Sequence, residues 1–169
     1  MPILKRAFFD RSTLKVAREL LGKFLCTPKG KFMITEVEAY DGPLDKASHA
    51  HRGQTSRNAP MFGESGVWYV YFVYGIHHML NIVTGKKDYP AAVLIRGIKG
   101  TSGPAKLTKF LNIDKKFNNK PAIKKTGLWI ESASRRTGIK IKKSQIKSSP
   151  RVGVNYAEEW KDKYYRFYL

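Results

Sequence analysis

The spacing of apolar and polar positions changes period several times along the chain, and each change marks an element. Leu14, Ala17 and Leu21 recur at helical spacing behind two candidate caps, Asp10 and Ser12, and Gly22 supplies a terminator, which predicts a helix ending near Leu21. Strands follow around Phe24 and over residues 32–40, separated by a Pro28-Lys29-Gly30 turn. Strict alternation over 32–40 puts Ile34, Glu36, Glu38 and Tyr40 on one face and Met33, Thr35, Val37 and Ala39 on the other, which is assigned to the core. Residues 67–74 form a short apolar run rich in aromatic and β-branched side chains, and Gly75 permits a tight turn into 76–83, so this stretch reads as a hairpin. Trp68, Tyr69 and Phe72 are expected in the sheet core, whereas Tyr74, beside the turn glycine, is expected to project from the tip. Residues 90–98 predict a buried strand bearing Arg96, and Ser102-Gly103-Pro104 opens a helix with Leu107, Phe110 and Leu111 turned inward. Short strands are expected at 128–131, 152–154 and 166–169. The strand-rich centre with flanking helices gives an α+β fold, one domain of 169 residues.

The face carrying Glu36, Glu38 and Tyr40 is the first place where pattern turns into chemistry, because paired carboxylates are costly to bury without partners. At about 3.3 Å per residue the two glutamates lie roughly 6–7 Å apart, near the lower limit for carboxylates that hydrolyse a glycosidic bond across a water. The same spacing suits two ion-paired or solvated strand residues. Arg96, on a buried strand, needs an acidic partner, which Glu36 or Glu38 can supply. Residues 41–65 have no sustained period and form a loop long enough to suggest a functional role. His49 and His51 lie in it with no third ligand nearby, so no metal is expected.

Composition then narrows the partner. Thirty-two Lys and Arg against 13 Asp and Glu give a net charge of +19, which calls for a polyanion, most simply nucleic acid, with an anionic membrane as the rival. Fourteen of the basic residues fall between positions 99 and 147, against two acids, so this third of the chain is a candidate footprint. No apolar run approaches the roughly 20 residues of a membrane span and the first residues lack a signal-peptide pattern, so a soluble, intracellular protein is expected. Cys26 is the one cysteine and is assigned a structural role, which leaves no internal disulfide or thiolate metal site.

Motifs along nearly the whole chain carry a resemblance: Phe8-Phe9-Asp10, Ile34-Thr35-Glu36-Val37-Glu38-Ala39-Tyr40, Gly42-Pro43, Asp45, Ala47-Ser48-His49, Arg57-Asn58, Met61-Phe62, Tyr69-Val70-Tyr71, Tyr74-Gly75, Asn81, Ser102-Gly103-Pro104-Ala105-Lys106-Leu107, Pro150-Arg151-Val152-Gly153-Val154 and Arg166-Phe167-Tyr168. In this order they resemble the alkyladenine (3-methyladenine) DNA glycosylase family. The resemblance implies a curved, mainly antiparallel sheet surrounded by helices. It also implies a monomeric, cofactor-free enzyme of base-excision repair acting on double-stranded DNA that contains damaged purines, alkylated or deaminated. A purine would be rotated out of the duplex and its N-glycosidic bond cut by water, leaving an abasic site. By resemblance Glu38 would activate the water with Arg96 beside it, and the backbone near Val152 would touch that water. Tyr40, His49 and Tyr71 would wall the base pocket, Asn81 would obstruct the extra amino group of guanine, and Tyr74 would wedge into the minor groove. From the residues alone, Ser102, Gly103 and Lys106 at the helix start are a candidate phosphate seat.

Two other classes fit parts of the pattern. A non-enzymatic RNA-binding module explains the charge and the aromatics without a catalytic carboxylate. An inverting carbohydrate hydrolase explains Glu36 and Glu38 but not the basic excess. Within the glycosylases, a lysine nucleophile is the closest variant.

Overall fold

In a computed structural model, described here for residues 2–133 and 141–169, the longest strand is the one that carries both glutamates. It is β2, Gly30–Asp41, and the sheet is assembled on its two edges. One edge takes β5 (Ala91–Ile98) antiparallel along residues 34–41. The other takes β1 (Phe24–Thr27) at its beginning and β9 (Arg166–Tyr168) further on, so strands far apart in sequence share one edge of β2. Beyond β5 lie β4 (His77–Val83) and β3 (Trp68–Val73), and beyond β1 lies β7 (Trp129–Glu131). Short strands β6 (Thr101–Ser102) and β8 (Lys147–Ser149) pair with β5 and β9. Every pairing is antiparallel, as the alternating pattern and the short turns predict.

The sheet's two faces differ in kind. One is dry and covered by helices α2 (Thr13–Leu20) and α3 (Pro104–Leu111), with Val16, Ala17, Leu20 and Leu107 packed on Val37, Ala39, Leu80, Ile82, Val93 and Ile95. A short α1 (Arg6–Phe9) precedes them and buries Phe9. The opposite face bears Glu36, Glu38, Tyr40, Tyr69, Asn81 and Arg96. It is covered by irregular chain, the loop over 41–65 and the segment over 150–162, with small clusters such as Ala47, Val154 and Ala157 beneath them. Irregular backbone suits this side because polar side chains there can satisfy what a loop leaves unpaired.

Four expectations change. Ile34 does not share the face of Glu38: β2 and β5 are irregular between Ile34 and Val37, which turns Ile34 and its partner Ile98 into the core with Val37 and Ile95. Phe72 is not core. It lies near the hairpin end, 36 % exposed, with its ring 4.7 Å from that of His78. Phe110 is exposed on α3, edge-on to Phe32, while Leu107 and Leu111 point inward as expected. Residues 152–154 form a turn rather than a strand, because Val152 gives its amide to a carboxylate instead of a ladder. Cys26 is buried, and burial pushes its thiol up to about 12, in keeping with a structural role. Of the basic positions in the footprint candidate, 134–140 lie outside the described residues.

Candidate active site

Glu38 stands in the middle of β2, between Val37 and Ala39, whose side chains enter the core on the opposite face. Its own side chain is wholly covered, and both carboxylate oxygens are occupied. Oε1 accepts the Val152 amide at 2.8 Å, and Oε2 accepts the Tyr40 hydroxyl at 3.0 Å with Arg96 Nη1 3.5 Å away. Burial pushes this carboxyl above its ordinary pKa, and Arg96, the Val152 amide and Tyr40 only partly oppose that. Arg96 therefore favours the charged carboxylate, yet desolvation outweighs it.

Glu36 has the opposite balance. Burial would raise it, but Arg166 Nε at 2.7 Å and Arg96 Nε at 2.9 Å both bond Oε1 and hold the carboxyl below its ordinary range. Arg96 thus serves both glutamates, with the closer contact to Glu36. One carboxylate on this face is held below its ordinary range, and its neighbour is pushed above it. Separation of two nearby pKa values by environment is how a site assigns one group to structure and another to proton transfer.

In front of Glu38 is a cavity of about 180 Å³ bordered by Tyr40, His49, Tyr71, Tyr74, Asn81 and Arg96. It lies below the usual range for drug-sized ligands, which suits one planar ring system. Glu38 is not on the cavity wall but directly behind three groups that are: Tyr40, Arg96 and Val152. The His49 and Tyr71 rings meet edge to face at 4.5 Å, and His49 Nδ1 is 3.0 Å from the Tyr69 hydroxyl. Burial and then Arg57 push His49 below its ordinary pKa, so it is neutral at pH 7. Burial raises the phenols of Tyr40, Tyr69 and Tyr71, so these rings keep their protons. Asn81 is anchored through Nδ2 to the carbonyls of Tyr69 at 3.2 Å and Met79 at 3.4 Å, so its amide cannot swing away from the cavity without breaking both.

Tyr74 is 90 % exposed at the tip of the β3–β4 hairpin, where it also borders the cavity. The tip is the three residues 74–76 between the paired Val73 and His77, with the Ile76 amide donating to the Val73 carbonyl and positive φ at both Tyr74 (+51°) and Gly75 (+68°). Ser102 and Lys106 are exposed and stand outside the cavity wall, although Pro104 between them borders it. Gly103 has φ +99° with open space where a Cβ would be, so glycine is there for its backbone. His51 Nδ1 is 2.9 Å from the Pro43 carbonyl, and the described residues include no group of three or more potential metal ligands.

Asp45 and Arg151, singled out in the motifs above but without a role, form the pair that braces these parts. Asp45 and Arg151 are fully buried and bidentate, at 2.5 and 2.8 Å. Arg151 also donates to the Ala39 carbonyl at 2.8 Å and stacks 4.8 Å from the Tyr40 ring, and Asp45 accepts the amides of Asp41 and Ala47. One ion pair therefore joins β2, the loop bearing His49 and the turn bearing Val152. Arg57 was likewise unassigned. It lies 5.3 Å above the Tyr71 ring and bonds the Phe72 carbonyl, bracing the cavity wall from outside.

Comparison with known proteins gives this cavity its context. The family model for methylpurine-DNA glycosylase matches residues 7–102 and 99–169. Curated relatives named "Putative 3-methyladenine DNA glycosylase" include one from Methanocella arvoryzae, 42% identical over 99% of this chain and 92% of its own length. Another from Sodalis glossinidius is 42% identical over 98% of this chain and 95% of its own, and one from Wolbachia pipientis subsp. Culex pipiens is 44% identical over 98% and 88%. Matched end to end in this way, the chain belongs to the methylpurine-DNA glycosylase family and is a hydrolase of N-glycosyl bonds.

Proposed function

We propose that the protein is a monofunctional glycosylase that rotates alkylated or deaminated purines out of duplex DNA and hydrolyses the bond to the sugar with a water activated by Glu38. The observation that carries this is a buried carboxylate of raised pKa at the back of an aromatic, base-sized cavity, with an exposed tyrosine at the tip of a hairpin on the cavity's rim. Glu38 takes the proton of the water and offsets the positive charge that grows on the sugar, and Arg96 restrains its protonation. Tyr40, His49 and Tyr71 stack on the base, and a cationic alkylated purine gains most from their π faces. Asn81, held rigid by its two carbonyl bonds, obstructs a guanine amino group. Tyr74 fills the gap left in the stack, which offsets an unstacking cost of a few kcal/mol.

One adjustment is required. Because Glu38 is covered in the free protein, water reaches it only when the Val152 turn or the Tyr40 ring yields as the base is seated. The turn is the softer of the two, since Val152 is half exposed. Support for hydrolysis by water over a lysine nucleophile comes from the wall itself, to which no lysine among the described residues contributes. Paired-carboxylate sugar hydrolysis is disfavoured because Glu36 is committed to two arginines. A single copy supplies every group named, which fits a monomer.

The test is incubation with methylated duplex and with duplexes bearing one hypoxanthine or ethenoadenine, followed by assays of base release and strand breakage. Base release that leaves alkali-labile sites and intact strands is expected. Absence of release from any of these duplexes sinks the proposal, and strand breakage coupled to release replaces the water with a lysine.

A further inference from the structure

The β3–β4 hairpin has two flanks, and the second is as distinctly featured as the one that borders the cavity. Val73, Tyr74 and Met79 face the cavity, whereas Ile76, His77 and His78 border a separate open groove of about 620 Å³. Its other wall is the C-terminal half of α3 and the residues that follow, with Lys109 and Lys116. Thr108 Oγ1 donates to the His78 carbonyl at 2.9 Å, which ties helix to strand and sets the width of the groove. Asp114 is the one acid along it among the described residues. Its carboxylate accepts the Lys116 amide at 2.9 Å and lies 3.5 Å from Lys116 Nζ. Among the described residues no carboxylate pairs with Lys109, and Lys115 adds a further cation 5.8 Å from the Phe72 ring on the same hairpin. An open trough lined by cations and histidines suits a chain of phosphates better than an enclosed small molecule.

A hairpin that enters the minor groove has one phosphate backbone on each side. The strand that carries the lesion must pass the mouth of the cavity, because the rotated nucleotide remains bonded to it. The other flank then faces the other backbone. We infer that the groove between β4 and α3 seats phosphates of the undamaged strand, held chiefly by Lys109 and Lys116. This rests on the base-flipping function proposed above.

Both lysines are exposed, so Lys109→Gln/Lys116→Gln leaves the core untouched. Binding to a duplex with one hypoxanthine, measured across salt concentrations, is expected to lose about two from the slope of log K against log salt, at about 0.9 per phosphate contact. Wild-type protein is expected to show the same loss when neutral methylphosphonates replace the facing phosphates of the undamaged strand, and the double variant no further loss there. On single-stranded DNA with the same lesion, variant and wild type should bind alike. Lys15→Gln/Arg18→Gln, in a different groove beside α2, should keep the wild-type slope. An unchanged slope for Lys109→Gln/Lys116→Gln overturns the assignment, as does an equal loss on single strands or an equal loss from Lys15→Gln/Arg18→Gln. If wild type neither binds the duplex nor releases its base, the glycosylase function itself falls. If it does both and the variant binds identically, only the groove assignment falls.

Discussion

Glu38 and Glu36 are chemically identical, two positions apart and on one face, yet their surroundings push them in opposite directions. Glu38→Gln is expected to lower single-turnover excision by about 100- to 10,000-fold with folding retained, since the amide keeps the shape but cannot accept a proton. Because burial raises Glu38, the acid limb of the wild-type rate profile should lie above the ordinary carboxylate range, with activity lost as pH falls through it. Stopped single-turnover assays across pH check this, and a limb at the ordinary glutamate pKa would place another group in the role. The linkage to stability has opposite signs. Glu38, raised in the folded state, costs stability as pH rises from the ordinary carboxylate pKa through its own, whereas Glu36, depressed, contributes stability that is lost as pH falls through its folded value. Alternation alone put both carboxylates on one face and left Arg96 between them. Which of the two carries the arginines could not be read from spacing, because the second arginine, Arg166, arrives from the far end of the chain. The partners of Asp45 and Val152 could not be read from spacing for the same reason, since they lie 106 and 114 positions away.

Among the elements, the hairpin was the most legible and the bulged strand the least. An aromatic run, a glycine and a second apolar run specify two strands and a turn by local chemistry, and the observed register of Val73 with His77 follows. The irregularity in β2 is invisible to a period-two pattern, since parity is assumed by that method, and so Ile34 was assigned to the wrong face. Phe72 and Phe110 were assigned to the core by hydrophobicity alone, a one-way rule that says little about a particular exposed ring. Tyr74 belongs to the element more than to the core. Tyr74→Ala is expected to weaken lesion binding and excision at least tenfold, by roughly the few kcal/mol of unstacking it offsets, with Tm within about 2 °C of wild type. Calorimetry beside a binding assay decides it, and a large fall in Tm with unchanged lesion binding would make the tyrosine structural.

At the scale of the molecule, composition indicated a polyanionic partner, and the family gives that partner as DNA. Where the positive charge gathers needed the fold: Lys109 and Lys116 stand against the hairpin, whereas Lys143 lies with Lys15 and Arg18 in a groove beside α2. No described helix is long and apolar enough to cross a membrane. The irregular side of the sheet depends on one buried ion pair, and Asp45→Asn should show it. Breaking such a pair costs about 3–5 kcal/mol, a fall in Tm of roughly 6–20 °C for a chain of this size. Thermal denaturation with retained stability would mean that the loops are held by other contacts. The sheet's two unlike faces also bear on how such a protein can change. Helices secure one face through apolar packing, while the proposed base cavity lies on the other, under loops that share few side chains with that core. Random substitution within 41–65 and 150–157 that spares Asp45 and Arg151 should therefore yield variants with altered damage spectra and near-normal melting, so the repertoire of excised bases can diverge while the helix-covered face stays the same.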